Sequence, residues 1–67
     1  MTIIEKAIQE GFIRFNEDKS RITYIKQKFE HNYGEGEPEE YVRLNAYLEL
    51  LYDYGYKAKN IRFVVLA

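Results

Sequence analysis

The sequence predicts a small α+β unit with elements in the order α-β-β-α-β, and three observations carry that reading. A threonine-led segment with an apolar stripe opens the chain, two β-rich runs flank a polar turn, and a proline-led segment with helical apolar spacing precedes a final apolar run. The 67 residues are 46% hydrophobic and 31% charged, too apolar for a disordered tail. A chain of this size hides only about 60% of its unfolded surface on folding, so one small core of marginal stability is expected.

Thr2 caps a short helix through Glu10, with Glu5 completing a capping box and Ile4, Ala7 and Ile8 forming the apolar stripe. Gly11 ends it. Residues 12–15 and 21–25 read as two strands joined by the polar turn 16–20, a hairpin. Residues 26–33 read as a prolongation of the second strand, because Phe29 keeps the alternation set by Ile25. Gly34-Glu35-Gly36-Glu37 is a loop by composition.

Pro38 suits the first turn of a helix, where its missing N–H costs nothing, and Glu39 and Glu40 set negative charge against the positive end of the helix dipole. That helix is expected over 38–54. Tyr41, Leu44, Leu48 and Leu51 form one stripe, Val42, Ala46 and Leu50 a second, and Asn45, Glu49 and Asp53 the polar ridge. So wide an apolar surface asks for more cover than a hairpin and a short helix provide. Gly55 is the expected left-handed cap, and residues 61–66 read as a strand buried on both faces. The expectation is a truncated domain, or one completed by a partner that covers the terminal strand.

The absence of cysteine excludes disulfides and thiolate zinc sites and makes the cytoplasm the expected compartment. The first residues show no basic start followed by an apolar stretch, and no run approaches the roughly 20 apolar residues of a membrane span, so no membrane partner is expected. Ten basic residues against eleven acidic ones argue against tight DNA binding by the chain alone.

No catalytic residue is expected. Ser20 lacks a base and an orienting group, and the glycines form no phosphate-cradling pattern. The acidic pairs Glu17-Asp18, Glu35 with Glu37, and Glu39-Glu40 lie where turns and helix starts ordinarily carry acids, and His31, the sole histidine, reads as a surface residue. Arg14, Arg21, Lys26 and Lys28, with Tyr24 interleaved, would make a basic hairpin face suited to phosphate, against the plainer reading of solvated strand charges. The tyrosines at 41, 47, 52, 54 and 56 read as core and interface rather than as a base-stacking platform.

Phe15-Asn16-Glu17-Asp18, Ile22-Thr23-Tyr24-Ile25, Pro38-Glu39-Glu40-Tyr41-Val42-Arg43, and Tyr47-Leu48-Glu49-Leu50-Leu51 through Tyr54-Gly55-Tyr56 to Ile61 occur in an order and spacing that resembles a known family. That family is the N-terminal region of the type I restriction enzyme R-subunits and related restriction–modification polypeptides. The resemblance spans nearly the whole chain, and its most specific part is P-E-E-x-V-R followed by Y-L-x-L-L and Y-G-Y. It implies the opening of a PD-(D/E)XK-type nuclease domain whose catalytic Asp and Glu-x-Lys lie on two further strands. Residues 38–54 would be its first core helix and 61–66 its first core strand. It also implies Mg²⁺ and DNA as cofactor and substrate of the complete enzyme, and no activity for this chain alone. Glu40 is the accessory metal-ligand candidate, beside a role as helix-dipole partner. Arg43 is a candidate for DNA phosphate or for an ion pair with Glu39 or Glu40.

Two further readings stand beside this one. In one, the chain is a complete small interaction module that pairs its terminal strand and tyrosine-rich helix with a partner or with a second copy. In the other it is a small nucleic-acid-binding domain using the hairpin face, which the slightly acidic balance disfavours.

Overall fold

A computed structural model of the chain describes residues 1–63. Helix α1, Ile3–Gln9, begins as the sequence predicts: Thr2 Oγ1 accepts the Glu5 N–H and Glu5 Oε1 accepts the Thr2 N–H, both at 3.1 Å. Gly11 leaves the helix at φ +80°, in the left-handed region.

Strands β1, Ile13–Phe15, and β2, Arg21–Tyr24, pair antiparallel with Ile13 opposite Tyr24 and Phe15 opposite Ile22. Asn16 closes their turn, its Oδ1 accepting the Arg21 N–H at 3.0 Å and its Nδ2 donating to Ser20 Oγ at 2.9 Å. The expected prolongation of the second strand is corrected. The chain reverses after Tyr24 through a four-residue loop in which Lys28 takes φ +55° and its N–H reaches the Ile25 carbonyl at 3.3 Å. Phe29–Asn32 returns as a separate strand, β3, with Phe29 opposite Tyr24 and His31 opposite Ile22. Alternation records which face a residue takes; it does not register a reversal into a neighbouring strand.

The sheet therefore has the order β1-β2-β3, antiparallel throughout. Ile13, Phe15, Ile22, Tyr24, Phe29 and His31 share its inner face, and Arg14, Arg21, Thr23, Glu30 and Asn32 its outer face.

Helix α2, Pro38–Leu48, crosses the inner face, with Leu44, Tyr47 and Leu48 buried against it. The single helix expected over 38–54 divides here. Glu49–Asp53 widens into a π turn, where the Tyr54 N–H reaches the Glu49 carbonyl at 3.1 Å and the Tyr56 N–H the Leu50 carbonyl at 2.9 Å, with Gly55 at φ +71°. The turn carries Leu51 into the core. Of the first expected apolar stripe Leu44, Leu48 and Leu51 are buried and Tyr41 is exposed; of the second, Val42 is 69% exposed and Ala46 is exposed, while Leu50 packs partly buried against the core.

A 3₁₀ turn, Ala58–Asn60, seats Ala58 and Ile61 at the core margin. The terminal strand expected over 61–66 is corrected where it is described. Ile61 is extended, at φ −100° and ψ 126°, yet residues 61–63 join no ladder, and burial alternates, with Ile61 buried and Arg62 exposed. Residues 64–66 of that expectation lie outside the described residues. The architecture is thus mixed α+β, a three-stranded antiparallel sheet and two helices. No helix among the described residues is long and apolar enough to cross a membrane.

Candidate functional site

Glu40 is the one charged side chain buried among the described residues, 1% exposed. The Pro38 start places it in the first turn of α2, two residues into the helix, where it faces Tyr24 on the inner face of the sheet. Its Oε2 accepts the Tyr24 hydroxyl at 2.6 Å, and its Oε1 accepts Arg43 Nη1 at 2.8 Å. His31 Nδ1 lies 3.3 Å from the same Oε1 and 3.1 Å from the Asn32 carbonyl. Both neighbours are acceptors, so Nδ1 is the ring nitrogen that carries a proton.

Removing a carboxylate from water costs several kcal/mol unless its lone pairs are taken up. Here a phenol, a guanidinium and an imidazole converge on it from three elements. Burial, and next the hydrogen bond to Glu40, push the Tyr24 phenol far above the usual tyrosine range, so it remains a donor at any physiological pH. The Arg43 guanidinium lies 4.6 Å from the centroid of the Phe29 ring and 5.7 Å from that of Phe63. Aromatic rings thus line the cation while its Nη1 holds the carboxylate.

Glu40 stands in the first turn of α2, the position expected of a helix-dipole partner, and is buried there; of the two acids offered to Arg43 it is Glu40 that pairs. His31, expected at the surface, is half exposed and stacks on Phe29, its ring facing Glu40. The sequence reading missed Tyr24 as the partner; the usable signal was an acid one turn into a proline-led helix with an arginine three residues on. Tyr24 is 0% exposed and packs edge-on to Tyr47 and Phe63, so it does not interleave with the hairpin cations as expected.

Those cations divide into two groups. Arg14 and Arg21 lie on the outer face of the sheet, where Arg21 donates from Nη2 to Glu30 at 2.7 Å and from Nη1 to Asn32 at 2.7 Å. Arg21 in turn holds the Glu30 carboxyl below the usual range. Lys26 and Lys28 sit in the β2–β3 loop, beside Lys59 and Arg62. Gln27 ties that loop to the 3₁₀ turn, its Nε2 donating to the carbonyls of Ala58 at 2.9 Å and Ile61 at 3.2 Å.

Among the described residues no three His, Asp or Glu side chains gather as metal ligands, and both Glu40 oxygens are engaged by Tyr24 and Arg43. The described residues alone therefore do not fit a Mg²⁺ site. No family model, curated protein or solved structure matches the chain.

Proposed function

We propose that this chain is the N-terminal part of the nuclease domain of a type I restriction enzyme R-subunit or a related restriction–modification polypeptide, without catalytic activity of its own. One observation supports the reading above the others. The Pro38-Glu39-Glu40-Tyr41-Val42-Arg43 run, which carries the most specific part of the resemblance, is also the run that builds the buried Glu40–Arg43 pair. A small core holds a buried carboxylate–guanidinium pair at a desolvation cost, which a role in a larger site would account for.

In this reading the exposed Val42 and Ala46 face of α2 is covered by later parts of the polypeptide, and the catalytic acids lie on strands after residue 67. The test is to follow the native reading frame past Ala67 and assay the resulting polypeptide for DNA cleavage in the presence of Mg²⁺, beside its Glu40→Gln variant. An Asp followed by Glu-x-Lys soon after Ala67, with cleavage that Glu40→Gln diminishes, is the expected result. A natural stop at Ala67, or a longer polypeptide without those acids and without cleavage, overturns it.

A further inference from the structure

The net charge of −1 conceals a segregation of charge along the chain. Neither 19–29 nor 54–67 contains an acid, and the fold brings the first of these stretches against the start of the second. Where they meet, a groove of about 390 Å³ runs between the β2–β3 loop and the 3₁₀ turn. Lys26 and Lys28 line one wall and Lys59 and Arg62 the other, with no acidic residue in the lining. Among the described residues none of the four forms an ion pair.

Of the six cations outside the groove, Arg21 is matched by Glu30 and Arg43 by Glu40, whereas Lys6, Arg14, Lys19 and Lys57 form no ion pair among the described residues; what sets the groove apart is four cations facing one another with no acid in the lining. The cavity lined by Ile3, Asn45, Leu48, Glu49 and Asp53 has two acids and no base. Opposed charges are thus sorted to different places on one small molecule. Like charges facing each other across a groove repel, and the Gln27 clamp onto Ala58 and Ile61 holds the two walls together against that repulsion.

We propose that this groove binds the phosphodiester backbone of DNA, without reading sequence. Three flexible ammonium groups and the guanidinium of Arg62, none of them held in an ion pair among the described residues, suit phosphate positioning rather than base contact. The groove also explains how a chain with no basic excess can present a local phosphate site. The inference does not need the nuclease reading, since backbone binding is measured without cleavage.

The test titrates the ¹⁵N-labelled 67-residue chain with a mixed-sequence DNA duplex and follows amide shifts by NMR. Shifts centred on residues 26–29 and 58–63 are expected. For two to four neutralised phosphates, affinity should fall about 10- to 150-fold between about 50 mM and about 200 mM salt. Lys59→Gln with Arg62→Gln should lower the slope of log affinity against log salt by about 2. Lys26→Gln with Lys28→Asn, which keeps a residue tolerant of positive φ at 28, should do the same from the other wall. Far-UV circular dichroism confirms that each variant is folded. No shifts at about 50 mM salt, shifts centred on Arg14 and Arg21, or unchanged affinity in a folded double variant overturns the proposal. So does equal response to inorganic phosphate at matched phosphate concentration, which marks a simple anion site, or equal affinity for a poly-glutamate peptide, which marks a protein partner.

Discussion

The Tyr24 hydroxyl donates to Glu40 Oε2 at 2.6 Å across sixteen residues of sequence, joining the central strand of the sheet to the first turn of α2. Both side chains are sealed from solvent, Tyr24 at 0% and Glu40 at 1% exposure. The phenol stands above an apolar face with no local acceptor, and the carboxylate, though it takes one bond from Arg43 three residues on, has turned its other oxygen away from the water its helix position would have offered. The bond therefore fixes where α2 crosses the sheet, a choice that apolar contacts alone leave broad.

Tyr24→Phe should destabilise the chain by about 1.5–3 kcal/mol, the worth of a hydrogen bond to a charged acceptor. Glu40→Leu strands the Tyr24 hydroxyl in the core and deprives Arg43 of its partner, so it should cost at least as much. The double variant removes donor and acceptor together and should lose less than the two single losses added, with a coupling of about 1–3 kcal/mol. Urea denaturation of the four proteins measures this cycle. Additive losses would mean that the two groups do not act through one another.

Alkaline pH should destabilise the chain through its buried and partly buried phenols. Burial raises the phenols of Tyr24, Tyr33, Tyr47 and Tyr52 above the ordinary value near 10, with Glu40 adding to the rise at Tyr24 and Glu10 at Tyr52. Above about pH 10 the unfolded chain releases these protons while the folded chain retains them, so the unfolded state binds fewer protons and stability falls as pH rises. The contribution is complete below about pH 10. Thermal unfolding from about pH 8 to about pH 11, spanning the ordinary phenol value and followed beside phenolate absorbance, should show a falling Tm, and Tyr24→Phe should flatten that fall.

Lys19 adopts φ +58° in the β1–β2 turn, an arrangement that costs an ordinary L-residue about 1–2 kcal/mol. Glycine removes that cost and adds about 0.4–1 kcal/mol of unfolded-chain entropy. Lys19→Gly should therefore stabilise the chain by about 0.5–1 kcal/mol, read as a higher urea midpoint at unchanged m-value. A lower midpoint would mean that the lysine side chain contributes to the turn.

The elements legible in the sequence are those with local signatures: the Thr2–Glu5 capping box, the Pro38 helix start, the Gly55 left-handed exit and the β1–β2 hairpin. Each is written in residues a few positions apart. Less legible is the third strand, because Lys28 supplies the positive φ of its loop where glycine or asparagine would have announced a turn. The π turn at Glu49–Asp53 leaves no periodic trace, since one widened turn shifts the apolar stripe by a single residue. At the candidate site Glu40 and Arg43 stand out as residues, but their burial does not. It depends on Tyr24 and Phe29 arriving from the sheet, and a helix read alone assigns an acid in its first turn to solvent.

The two faces of α2 give the last prediction. Leu44 and Val42 are both apolar and two residues apart, and propensity alone treats them much alike. Leu44 is 1% exposed beneath the sheet, whereas Val42 is 69% exposed. Leu44→Ala should open a cavity and cost about 2–5 kcal/mol. Val42→Ala removes little buried surface and exchanges a β-branched residue for the best helix former, so it should fall within about 0.5 kcal/mol of the parent, on the stabilising side. Denaturant midpoints of the isolated chain measure both. If Val42→Ala instead costs more than about 1 kcal/mol, with a midpoint that depends on protein concentration, the Val42 face is buried in solution by another copy of the chain.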